Sequence, residues 1–209
     1  MPATQRLACR RCGETLPIAG RGRVPTYCST RCRVAAHRAR TAVPPLAPQR
    51  AGLPVELTRL RRWVRRDVDK RPVRADNGRP ASSTNPFTWA SHERAELSPH
   101  GVGLGYVLDG GDRIVCIDLD HCIDGRGRLA AWAREIVGRC PATYIEVSPS
   151  GTGLHLWGRG KVWHGRRIRH ADGACIEVYG RGRYIAMGQR YGDAPSTLAD
   201  LSEVVDSLI

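Results

Sequence analysis

Apolar and polar positions change period several times along the chain, and each change predicts an element. The longest unbroken apolar run that ends in charge is IVCIDLD, residues 114–120. Four apolar residues with no polar interruption read as a strand buried on both faces. Upstream, Leu57, Leu60, Val64 and Val68 fall at helical spacing and predict a helix over about residues 55–68. Its other face carries Arg59, Arg62, Arg65 and Arg66, which would be solvated or would contact phosphate. KRPV reads as a short strand, ADNGRPASSTNP as a polar loop and FTWASHERAEL as a short helix. GVGLGYVLDGGDRIVCIDLD reads as a hairpin with an Asp-Gly-Gly turn.

Beyond residue 120 the pattern turns helical, with Leu129, Trp132 and Ile136 on one face and Gly138 as a stop. TYIEVSPSGTGLHLWG then gives two strands around a glycine-rich turn, and ACIEVYG and RYIAMGQR give two more. STLADLSEVVDSLI closes as an amphipathic helix through Leu198, Leu201, Val204, Val205 and Leu208. The fold class is α/β (α+β), with a mainly antiparallel sheet flanked by helices.

Charge divides the chain. The net charge is +13, yet residues 1–75 hold 18 Arg and Lys against 4 acidic residues, while the remaining 134 hold 15 against 16. The excess sits in the first third, which suggests an end that faces nucleic acid. Only Lys70 and Lys161 are lysines. No apolar run approaches the ~18 residues of a membrane span, and no apolar leader opens the chain. A cytosolic protein without membrane contact and with reduced cysteines is expected.

Residues 1–40 contain Cys9, Cys12, Cys28 and Cys32 in the spacing C-x2-C-x15-C-x3-C. Two such pairs suit a tetrahedral Zn²⁺ site, and a piece this short needs metal for its folding energy. YCSTRCRVAAHRAR resembles the last knuckle and helix of treble-clef-like zinc modules, with Arg31, Arg33, Arg38 and Arg40 along the helix. Residues 41–54 read as a linker, leaving 55–209 as the main domain.

The candidate chemistry begins at Asp118 and Asp120. Residues two apart on a strand share a face, and two such carboxylates either bracket a divalent cation or merely end the strand and cap a turn. A calcium loop is excluded, because its fifth and sixth positions would be Cys122 and Ile123 and its twelfth Leu129. In SPSGTGLHLW, Ser150, Gly151 and Gly153 can aim backbone N–H groups at an anion, with His155 close behind. Lys161, Trp163, Arg166, Arg167 and Arg169 mix cations with an aromatic ring, which suits a single strand or template backbone; the alternative is a solvated loop. Glu177, alone among apolar neighbours in its strand, is the third carboxylate, with Glu146 as its competitor.

In this order the motifs resemble the primase–polymerase domain of the archaeo-eukaryotic primase superfamily, in its phage and plasmid branch. The resemblance rests on IDLDHCID, SPSGTGLHLW and IEVYGRGRYIAMG and covers about residues 55–190. It implies an RRM-like core and DNA primase or polymerase activity in the replication of a phage, plasmid or mobile element, inside a bacterial host. Asp118, Asp120 and Glu177 would hold two Mg²⁺ or Mn²⁺ ions, and Ser150, Gly151, Gly153, His155 and Arg183 the phosphates of a dNTP or NTP. Single-stranded DNA would be the template. Larger relatives carry a helicase in the same chain; here a separate replicative helicase is expected. A non-catalytic single-stranded DNA-binding zinc protein on a decayed primase fold is the alternative. A relaxase-like nuclease is disfavoured, since no His-x-His occurs.

Overall fold

The computed structural model describes residues 8–16, 25–41, 52–169 and 175–209, with backbone only for 37–41. Most of the expected linker, and the side chains of Arg38 and Arg40, lie outside the described residues. The chain divides into two compact units, Met1–Pro48 and Gln49–Ile209.

In the first unit, Ala8 and Thr15 bridge across a tight turn in which Gly13 takes φ +78°. A helix, α1 (Thr30–Thr41), follows. Cys28 precedes it and Cys32 lies in its first turn, where the Ser29 hydroxyl accepts from the Cys32 N–H.

The second unit runs α2 (Val55–Thr58), β1 (Trp63–Arg66), β2 (Pro72–Val73), α3 (His92–Glu96), β3 (Gly103–Asp109) and β4 (Ile114–Asp120). Then come α4 (Ala131–Arg139), β5 (Ile145–Val147), β6 (Leu154–Arg159), β7 (Arg166–Arg169), β8 (Cys175–Tyr179), β9 (Arg181–Ala186), β10 (Gln189–Arg190) and α5 (Ser202–Leu208). Two sheets form, a four-stranded one in the order β2-β1-β3-β9 and a six-stranded one in the order β10-β5-β6-β4-β8-β7. Every described strand pairing within them is antiparallel. In the larger sheet β6 lies between β4 and β5, so β4–α4–β5 is a split βαβ unit. The mixed α/β class with antiparallel sheets agrees with the sequence.

Two local expectations are corrected. The helix over 55–68 stops at Thr58, and Trp63–Arg66 is a strand. Trp63 and Val64 are both fully buried there, between the sheet and its cover, while Val68 is 78% exposed. Tertiary burial of Trp63 decided this against helical spacing. Arg62 and Arg65 of that stretch have structural partners. Arg62 bridges Asp109 and Asp112 at 2.6 and 2.8 Å, and Arg65 donates to the carbonyls of His100 and Ala95. Nor do β3 and β4 form a hairpin. The Asp-Gly-Gly turn carries the chain from one sheet to the other.

Strand alternation sorts the core into two layers. Val115, Ile117 and Leu119 of β4 join Leu154, Leu156, Ile176 and Val178 beneath α4 and α5. Ile114 and Cys116 face the other way and pack with Trp63, Tyr106 and Trp157 between the sheets. Those three rings meet edge to face, at 5.2 and 5.6 Å between centroids. Asp118 and Asp120 continue the second face past the end of this aromatic layer, where the sheets part.

Candidate active site

One row of side chains crosses the whole six-stranded sheet. Asp118 pairs with His155 of β6 on one side and with Glu177 of β8 on the other. His155 pairs in turn with Glu146 of β5, and Glu177 with Arg167 of β7. Arg190 of β10 pairs with Glu146 and ends the row. Register partners in a ladder point to the same face, so residues far apart in sequence become neighbours. Three acids stand in the middle of the row and cations at both ends.

The contacts follow from this register. Glu177 is buried, and its carboxylate meets Arg167 Nε at 2.6 Å and Arg183 Nη2 at 3.4 Å. The Tyr179 hydroxyl donates to it at 2.8 Å. Burial, then this carboxylate, pushes Tyr179 up to about 12, so the phenol keeps its proton. Carboxylate oxygens of Asp120 and Glu177 and the Cys175 thiol lie within 4.8 Å of one another. Asp118 is not in that trio. Its Oδ1 is buried with no hydrogen-bond partner among the described residues, and His155 Nε2 lies 3.6 Å away, beyond hydrogen-bond reach. Burial pushes the Asp118 carboxyl up to about 6; His155 pulls it back, while Asp120 and Glu177 push it further.

Glu146 does not join the carboxylates. Fully buried, it binds His155 Nδ1 at 2.8 Å and receives the Tyr144 hydroxyl at 3.4 Å. Burial pulls the imidazole of His155 down, but the Glu146 hydrogen bond and charge more than reverse it, and its pKa rises. Between the two candidates for a third carboxylate, the geometry sets Glu177 beside Asp120 and Glu146 behind His155.

The site opens into a cleft of about 680 Å³ between the sheets, with Asp118, Asp120, His155 and Arg183 in its walls. From the glycine-rich turn, Ser148 and Pro149 line it. Ser150 is turned within the loop, 2.8 Å from the Ser148 hydroxyl and 3.1 Å from that of Thr152. Gly151 takes φ +77° and closes the turn on the Ser148 carbonyl. Gly153 is needed for space: a Cβ there would stand 2.8 Å from the Leu119 carbonyl oxygen.

The basic cluster is split by strand alternation. Arg167 is committed to Glu177 and Arg166 donates to the Ile209 carbonyl. Arg169 pairs in register with Cys175 and so shares the carboxylate face. Lys161 sits 4.0 Å over the Trp163 ring, which is 63% exposed. Sequence reasoning missed Cys175 and Tyr179, whose only signal was their i−2 and i+2 spacing from Glu177. It also missed Lys70, in the turn between β1 and β2.

In the first unit the thiols of Cys9, Cys12, Cys28 and Cys32 all lie within 4.8 Å of one another. Cys28 Sγ is 3.5 Å from both Cys12 and Cys32. Those two neighbours push the Cys28 thiol up to about 12.

Residues 33–200 match the family model described as bifunctional DNA primase/polymerase, N-terminal. The chain belongs to this family. It is also 37% identical, over 155 residues, to the DNA primase-polymerase of Nitratiruptor phage NrS-1. That alignment takes in 69% of this chain and 21% of the phage protein, so the chain spans about a fifth of that relative's length. No described helix is long and apolar enough to cross a membrane.

Proposed function

We propose that residues 55–209 form a catalytic domain that makes or extends DNA by template-directed nucleotidyl transfer, in the replication of a phage, plasmid or mobile element. The observation that carries this reading is that Asp118, Asp120 and His155 line a cleft large enough for a nucleotide, with Glu177 the register partner of Asp118. The donor set fits a hard divalent ion. Carboxylate oxygens of Asp120 and Glu177 crowd together, and Asp118 Oδ1 is buried with no hydrogen-bond partner among the described residues, an arrangement that a cation relieves. Asp118, Asp120 and Glu177 would hold Mg²⁺ or Mn²⁺. Such ions, as a pair, supply Lewis-acid activation of a 3′-hydroxyl and charge neutralisation on a triphosphate.

The chain's own groups have separable tasks. His155, oriented by Glu146, presents Nε2 to Asp118 and the cleft, where it can donate to a phosphate oxygen. Arg183 and Arg167 pair with Glu177, and Arg183, which also lines the cleft, would turn to the nucleotide. The Ser148–Gly153 turn offers hydroxyls and N–H groups at the same end. Single-stranded DNA is the expected template, with Trp163 and Lys161 as an exposed stacking and charge contact. A replicative helicase would supply single strands, in the cytoplasm of a bacterial host.

Residues 1–40 would hold Zn²⁺ through Cys9, Cys12, Cys28 and Cys32. The mutual approach of four thiols, near the spacing that ~2.3 Å zinc–sulfur bonds impose, supports this.

The deciding experiment is primer synthesis and extension on single-stranded DNA, with Mn²⁺ or Mg²⁺ and labelled dNTPs or NTPs. Product is expected from the parent protein and none from Asp118→Ala/Asp120→Ala. Bound DNA without product under every condition would favour the non-catalytic binding protein instead.

A further inference from the structure

The cations that line the cleft are not equivalent. Arg183 is engaged with Glu177 and stacks 4.5 Å over the Tyr179 ring. His155 is engaged with Glu146. The remaining cation, Lys70, has no side-chain hydrogen bond or ion pair among the described residues. Its charge nonetheless acts on both Asp118 and His155.

Lys70 is also held in an unusual conformation. Its φ is +62°, in the left-handed region where a side chain costs roughly 1–2 kcal/mol. The turn around it is over-determined. Asp67 Oδ1 accepts the N–H groups of Asp69 and Arg71 at 2.9 and 2.8 Å, and the Lys70 N–H donates to the Asp67 carbonyl at 3.1 Å. Glycine would take this φ without strain. A lysine kept at this φ, lining the same cleft as Asp118 and Asp120 and with no side-chain hydrogen bond or ion pair among the described residues, is left available to an anion from solution.

We propose that Lys70 is a phosphate-binding residue that contacts the triphosphate of the incoming nucleotide from the turn between β1 and β2. The inference rests on the nucleotide reading of the cleft given above. It adds the smaller sheet as a functional wall. His155 and the Ser148–Gly153 turn approach the phosphates from the larger sheet, and Lys70 approaches from the other.

The test is calorimetric titration of the full chain with inorganic tripolyphosphate and Mg²⁺, beside thermal melts without ligand. Lys70→Gly removes the charge and the strain together. It is expected to weaken tripolyphosphate binding about tenfold or more, with Tm unchanged or raised by a few degrees. Lys70→Arg keeps a cation and is expected to retain most of the affinity. Unchanged affinity in Lys70→Gly would overturn the inference, and so would a lowered Tm accompanying the loss, which would mark a structural lysine. If the parent protein takes up no tripolyphosphate, the nucleotide reading of the cleft falls and this inference falls with it.

Discussion

Asp118 and Glu177 are register partners on neighbouring antiparallel strands, so their carboxylates leave the same face of the sheet. With Asp120 two residues along the same strand, three acids share one face of the sheet. The chain therefore stores electrostatic cost at this point, and its removal can be measured.

The Asp118 carboxyl titrates near 6 in the folded protein, above its ordinary 3.8, chiefly because it is buried. An acid whose folded pKa is raised destabilises the fold once ionised. The cost is absent below about pH 4 and fully present above about pH 6. Asp118→Asn is expected to raise the stability of the metal-free protein at pH 7.5 by on the order of 2 kcal/mol, while abolishing primer extension. Chemical denaturation in EDTA checks the first part. A variant less stable than the parent would contradict the assignment of strain to this carboxylate.

Divalent ions should reverse the same shift. Binding Mn²⁺ at pH 6 requires ionised carboxylates, so protons should be released on binding, and fewer at pH 7.5. Titration calorimetry in buffers of different ionisation enthalpy counts those protons. Equal release at both values would place the metal elsewhere.

Glu146 is the buried partner of His155, and Glu146→Gln removes its charge but keeps an acceptor. The imidazole pKa, raised in the parent, is expected to fall. Stability contributed by the charged pair is present at low pH and is lost as pH rises through the folded His155 pKa, so the variant should lose most stability on the acid side. A cost of about 3 kcal/mol is expected for breaking a buried pair. NMR titration of the His155 ring together with melts at two pH values tests both statements.

Gly153→Ala would place a methyl 2.8 Å from the Leu119 carbonyl oxygen and 3.1 Å from the Ser148 hydroxyl. The turn must then lift away from β4, at a cost of about 1–3 kcal/mol. Nucleotide affinity should fall with it, because Ser148 lines the cleft. A melt and a nucleotide titration suffice, and an unshifted Tm would show that the turn yields freely.

Stripping the proposed zinc should act locally. A strong chelator, or Cys12→Ser, is expected to remove the metal and unfold the first unit, leaving the melting of the second unit in place. Metal release read by a colorimetric indicator, beside near-ultraviolet circular dichroism, distinguishes this from global unfolding.

Much of this was legible in the chain because short-range periodicity carries it. IVCIDLD could only be a buried strand ending in two carboxylates on one face, and C-x2-C-x15-C-x3-C brought four thiols into view without a fold. The motif order pointed to the family, and the isolation of Glu177 among apolar residues marked it as an acid that must be paired or ligate metal. What local pattern could not decide was which strands would be neighbours. Helical spacing over 55–68 lost to the burial of Trp63 between sheets, and the apparent hairpin at Asp-Gly-Gly became a crossing from one sheet to the other. Pairing across the larger sheet is also what put Glu177 beside Asp118, drew Glu146 behind His155 and gave Arg167 the Glu177 carboxylate as an ion-pair partner. Side-chain alternation is a property of one strand and is written in its residues. Register and sheet order are properties of the packed whole, set by burying two apolar layers at once, and only the tertiary structure decided them.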